Sequence, residues 1–139
     1  MLTKNDFNNL PKIVAVDFDG TLVTDNFPDI GEPIEDMFAS MKYLRENGVK
    51  VVLWTSRNMY KNRDLLEEAI QFCNEQGLEF DAINENVQEV QELTGEDTRK
   101  IYADLYIDDK SVHAIQSPLY WLNSVGLNWV DYLNHMRNK

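Results

Sequence analysis

Two carboxylate pairs and two short polar clusters stand beside apolar runs. Asp17-Phe18-Asp19-Gly20-Thr21 follows the run Ile13–Val16, and alternation along an extended chain would send Asp17 and Asp19 the same way, about 7 Å apart. Carboxylates held that close repel unless a cation or a shared proton intervenes; the segment also reads as a surface turn, since Asp-Gly is a hairpin signal. Asp108-Asp109 closes a second run, Tyr106-Ile107. Hard oxygen ligands gathered from two strand ends suit Mg2+, which takes one or two carboxylates with waters and a substrate phosphate, whereas in isolation this pair also reads as a solvated turn. Thr55-Ser56-Arg57 follows Leu53-Trp54. Hydroxyls and amides at such a turn hold phosphoryl oxygens, with Arg57 adding a fork of donors, although Ser and Thr after a strand more often cap a helix. Arg99-Lys100 precedes another apolar run and by itself reads as a solvated basic pair.

The elements between these clusters must bring them together. Ile13–Val16 is continuously apolar and β-branched, as expected of a strand buried on both faces. Ile34, Met37, Met41 and Leu44 recur at helical spacing over residues 33–47, and Gly48 supplies a left-handed stop. A strand over 49–54 follows, then a helix over 62–76 with Leu65, Leu66, Ala69, Ile70 and Cys73 on one side and Gly77 at its end. Strands are predicted over 80–83 and 102–107, separated by a polar stretch over 84–98, and a helix over 127–137 packs on the sheet. Strands alternating with amphipathic helices are the pattern of βαβ units around a parallel sheet. Right-handed crossovers bring the carboxyl ends of such strands to one edge, where open α/β sheets bind ligands.

With 139 residues, 43% hydrophobic and 27% charged, the chain fits a single soluble domain, 1–139. Thirteen Lys and Arg stand against 24 Asp and Glu, a net charge of −11, which works against a general nucleic-acid or membrane surface. No apolar run approaches the roughly 20 residues of a membrane span and no signal peptide opens the chain, so a cytoplasmic location is expected. Cys73 stands alone and reads as a buried helix residue, leaving no internal disulfide or CxxC motif.

In order, Asp-x-Asp-Gly-Thr, then Thr, then Lys, then Asp-Asp, each beside a predicted strand, resembles the four motifs of the haloacid dehalogenase-like superfamily of phosphohydrolases. The resemblance covers residues 13–110 and implies a Rossmann-like three-layer α/β sandwich with a central parallel sheet. It implies that Asp17 is the nucleophile, ionised at neutral pH, forming an aspartyl-phosphate. Asp19 would protonate the leaving oxygen as general acid and then activate water as general base. Thr55 would bind the phosphoryl group with Ser56, Arg57, Gly20 and Thr21, and Lys100, or Arg99 beside it, would neutralise charge. Mg2+ would be held by Asp17, the backbone carbonyl of Asp19 and Asp108, with Asp109 acting through water.

Relatives often carry a lid domain, and here the segments between motifs leave room only for a flap over 23–32. A capless site is expected, covered by a phosphorylated macromolecular substrate or by a second copy of the chain. Phe27, Pro28, Asn58, Met59 and Tyr60 are the candidate contacts. His113 and His135 lack ligand spacing and read as surface histidines, and residues 118–122 read as core packing. A competing reading is a phosphoacceptor domain of the receiver type. Its acceptor Asp would follow a middle strand and its Lys the last, whereas here Asp17 opens the fold, Asp108-Asp109 follows the Lys, and Asp19 would have no role. A catalytically silent binding module on the same fold is the third reading.

Overall fold

The computed structural model describes residues 1–111 and 122–139. A short helix α1 (Lys4–Asn8) leads to β1 (Ile13–Val16), α2 (Glu35–Glu46) and β2 (Lys50–Leu53). A hairpin of β3 (Met59–Tyr60) and β4 (Arg63–Asp64) comes next, then α3 (Leu65–Glu75), β5 (Ala82–Ile83), α4 (Gln88–Thr94) and β6 (Leu105–Ile107). A 3-10 turn (Leu122–Val125) precedes α5 (Trp129–Arg137). The main sheet has the order β5-β2-β1-β6 with every neighbouring pair parallel.

Successive side chains of a strand point to opposite faces, and here both faces are covered. Val14, Val16, Val51 and Leu53 pack with Phe38, Met41 and Leu44 of α2 and with Ala69 and Cys73 of α3. Ile13, Ala15 and Val52 pack on the other side with Val87, Val90 and Ile101. The expected three-layer α/β sandwich is therefore present, and among the described residues no inserted cap domain interrupts it. No helix among them is long and apolar enough to cross a membrane.

Several element boundaries differ from expectation, each for a local reason. The helix expected from residue 62 starts only at Leu65, because residues 59–64 fold back with Tyr60 opposite Arg63. Asp64 then caps it, accepting the Glu67 N–H at 3.0 Å. The polar stretch 84–98 contains α4, whose seven residues are too few for a clear periodic signal; Gly95, at φ 80°, ends it. The strand expected over 102–107 is shortened to Leu105–Ile107, since the chain before it is held by side chains. Buried Asn86 accepts the Tyr102 N–H at 2.7 Å, and Asp104 accepts the Ile13 N–H at 2.8 Å.

Cys73 is fully buried as expected, and desolvation pushes its thiol up to about 12, which leaves it inert. His135 does not stand free on the surface: its ring packs 5.0 Å from that of Tyr43, and Nε2 lies 3.5 Å from a Glu46 oxygen. His113 and residues 118–121 lie outside the described residues, while Leu122 is buried.

Candidate active site

The parallel ladder continues one residue past each strand. The N–H of Asn84 donates to the Leu53 carbonyl (2.8 Å), that of Trp54 to Val16 (2.8 Å) and that of Asp17 to Ile107 (3.0 Å). These steps align Asn84, Trp54, Asp17 and Asp108 along one edge, with Thr55 the next residue beyond it. The same edge opens into a cleft of about 570 Å3, lined by Asp17, Asp19, Trp54, Thr55, Ser56 and Asn84, with Asp108, Lys110 and the flap residues Asp25 and Phe27.

Asp17, Asp108 and Asp109 each offer a carboxylate oxygen, all within 4.8 Å of one another. Asp108 is oriented by its own turn, Oδ1 accepting the Lys110 N–H at 2.9 Å. Asp109 Oδ1 is buried without a hydrogen-bond partner. An oxygen-only donor set with an orphaned carboxylate oxygen fits a hard divalent cation. Burial pushes the Asp17 carboxyl up to about 7; Asp108, Asp109 and Asp19 add to the rise, and a hydrogen bond from the Phe18 N–H opposes it. Without a cation these neighbours and burial hold the Asp17 carboxyl far above the ordinary carboxylate range, and a cation bound at the cluster would favour the ionised form expected of a nucleophile.

The loop after β1 is wound tightly, with the amides of Thr21, Leu22 and Val23 all donating to the Phe18 carbonyl at 2.9 to 3.2 Å. Gly20 sits at φ 77°, and a Cβ there would collide with the Asp109 carboxylate. Gly20→Ala is expected to lower stability by about 1–2 kcal/mol from the left-handed backbone alone. It should also push Asp109 out of the cluster; thermal melts with and without Mg2+ read both effects, and an unchanged Mg2+ response would count against this reading. Thr21, expected to touch substrate, is buried and is not among the residues lining the cleft; its N–H is committed to the turn and its hydroxyl has no hydrogen-bond partner among the described residues.

Thr55 and Ser56 reach the cleft as expected. The Thr55 N–H donates to Asn84 Oδ1 at 2.9 Å, and its hydroxyl oxygen accepts the Arg57 N–H at 3.1 Å. That leaves the Thr55 O–H proton available to an incoming oxygen. Asn84, missed in the sequence, holds a left-handed conformation at φ 54°. Because its oxygen is taken by Thr55, its NH2 is the amide group left to meet a ligand. Its place after a strand was the signal available for it.

The Asp19 carboxylate, expected to serve as general acid and base while its backbone carbonyl meets the cation, lines the cleft and is gripped by Arg57, with both contacts at 2.8 Å. Two expected positions differ. Arg57 is correspondingly buried, absent from the cleft lining and not the donor fork expected for a phosphoryl group. Lys100 does not line the cleft either: its ammonium lies 5.3 Å from the centre of the Tyr106 ring, and Arg99 is exposed. The segment bearing both is tied to the second face of the sheet through Ile101 and the Asn86–Tyr102 bond. Lys110 is the basic residue lining the cleft among the described residues, its Nζ 3.6 Å from Asp109. Its place directly after Asp108-Asp109 marked it in the sequence.

A family model described as haloacid dehalogenase-like hydrolase matches residues 14–137. A solved structure of a conserved protein from Bacteroides thetaiotaomicron is similar at 34% identity and a TM-score of 0.68, over 88% of this chain and 98% of that one. No curated protein matches significantly. The family match takes in every strand of the main sheet and the edge residues from Asp17 to Asp109, and on it the chain belongs to the haloacid dehalogenase-like hydrolases.

Proposed function

We propose that the protein is a Mg2+-dependent phosphomonoester phosphatase that works through a covalent aspartyl-phosphate on Asp17. The observation that carries this reading is the juxtaposition of Asp17 with Asp108 and Asp109 on one side and with the Thr55 and Ser56 hydroxyls in the same cleft. Mg2+ held by Asp17, Asp108 and Asp109 would offset their mutual repulsion and polarise the phosphoryl group. Thr55 and Ser56 hold phosphoryl oxygens, and Lys110 supplies the positive side chain that Lys100 was expected to provide. An Asp17 oxygen bonds to phosphorus as the ester P–O bond breaks, and Asp19 gives its proton to the leaving oxygen. Water then attacks phosphorus while Asp19 takes its proton, the Asp17–P bond breaks, and phosphate departs. Phosphoryl transfer depends mainly on positioning and charge neutralisation, so these groups suffice.

The test is phosphate release from alkyl and aryl phosphates, phosphorylated nucleic-acid ends and phosphopeptides, with Mg2+ and with chelator. Mg2+-dependent release is expected. A long-lived phosphorylated protein with negligible turnover would point instead to a phosphoacceptor. Substrate size sorts the two ways of covering an open cleft: preference for phosphorylated macromolecules makes the substrate the cover, and activity lost on dilution makes it a second copy.

A further inference from the structure

Arg57 is the one buried charged residue among the described residues, at 3% exposure. Its Nε and Nη2 donate to the two carboxylate oxygens of Asp19, both at 2.8 Å. Nη2 also donates to the Asp29 carbonyl in the flap at 3.0 Å, and Nη1 to the Leu65 carbonyl at the start of α3 at 3.3 Å. The rings of Phe18 and Phe27 lie 4.9 and 5.4 Å from the guanidinium carbon. Four of its five N–H groups are therefore committed within the protein. Desolvating a guanidinium is costly unless its partners are well aligned, and here the partner is a carboxylate at the wall of the cleft.

We infer that Arg57 is a positioning residue: it fixes the orientation of Asp19 for proton transfer and ties the flap to the same guanidinium. The inference rests on the phosphatase reading above. Gripped from one side by the fork, each Asp19 oxygen keeps a second lone pair. Asp19 carrying a proton on one of these lone pairs gives it to the leaving oxygen as that oxygen's bond to phosphorus breaks, and the carboxylate so formed takes a proton back from water in the second step. An unheld carboxylate rotates about its side-chain bonds, and a group held loosely loses much of its catalytic effect. The flap contacts place Phe27 at the cleft mouth from the same anchor.

The experiment compares an alkyl phosphate, whose leaving oxygen needs a proton, with p-nitrophenyl phosphate, whose leaving group needs none. Arg57→Gln is expected to lower kcat on the alkyl ester about 100-fold and on the nitrophenyl ester only about threefold, because the lost effect is general acid catalysis. In the Asp19→Asn background, Arg57→Gln should change kcat on the alkyl ester less than about twofold, since residues that act as a unit are not additive. Arg57→Lys keeps the charge without the fork and should show the same ester dependence in weaker form, which covers a failure of the Gln variant to fold. Equal losses on both esters, or full losses repeated in the Asp19→Asn background, would overturn the inference while leaving an active wild type. A wild type that releases no phosphate from these esters, from phosphorylated nucleic-acid ends or from phosphopeptides would instead overturn the phosphatase reading, and the inference with it.

Discussion

Asp17→Asn should abolish turnover while making the metal-free protein more stable at pH 8. The amide keeps the shape of the side chain but lacks the anionic oxygen that attacks phosphorus, so kcat should fall by roughly 10^4-fold or more, as for other covalent nucleophiles. The stability change has the opposite sign. Asp17 is partly desolvated at the end of β1 with Asp108, Asp109 and Asp19 beside it, which is why its carboxyl is pushed up to about 7. A neutral amide removes one of these like charges, and residues placed for chemistry commonly weaken the fold that holds them. Kinetics with Mg2+ and melts in chelator check the two halves. Full Mg2+-dependent activity in the variant would sink the covalent mechanism; a variant less stable than wild type at pH 8 would contradict the electrostatic account.

The second large effect is a pH-dependent competition between protons and Mg2+. The folded protein holds a proton on Asp17 up to about pH 7, whereas the unfolded chain releases it near 3.8. Between those values the folded state binds more protons, so this contribution to stability is complete below about pH 3.8 and is lost as pH rises through about 7. In chelator, the wild type should therefore lose stability relative to Asp17→Asn as pH is raised from 5 to 8. Mg2+ should reverse the trend, because it binds the ionised cluster. At pH 8 and a hundredfold excess over Kd it should raise Tm by about 5–10 °C, and at pH 5 by much less. Asp108→Asn should weaken the response at every pH. A Tm shift independent of pH, or equal in Asp17→Asn and wild type, would remove Asp17 from the cation site.

Much of this site was legible in residue types because strand ends are legible. A parallel strand buried on both faces is apolar throughout, so Asp17 after Val16 stands out as the first residue free of that constraint, and Asp108 likewise marks the end of the apolar run Leu105–Ile107 at the sheet edge. The same reasoning exposed Thr55, and Asn84, directly after the strand predicted over 80–83, carried the same signal without being singled out. It failed where position depends on a segment's path between elements. Nothing in the spacing of Arg99-Lys100 shows that buried Ile101 and Asn86 hold that stretch on the second face of the sheet. Short α4 was hidden because two buried valines cannot establish a helical period.

The chain by itself determined the parallel α/β architecture, the edge on which chemistry gathers, the carboxylates there and the absence of room for a lid between β1 and β2. Those properties follow from local patterning and chain length. Tertiary structure decided which charges meet. Asp19 turns to Arg57 and leaves a three-carboxylate cluster, Lys110 stands in the cleft where Lys100 was expected, and Gly20 makes room for Asp109. The physical reason is that side-chain partnership is set by distances across the fold. Arg57 and Asp19 stand far apart in sequence, and only packing Phe18, the flap and the start of α3 around one guanidinium brings them together.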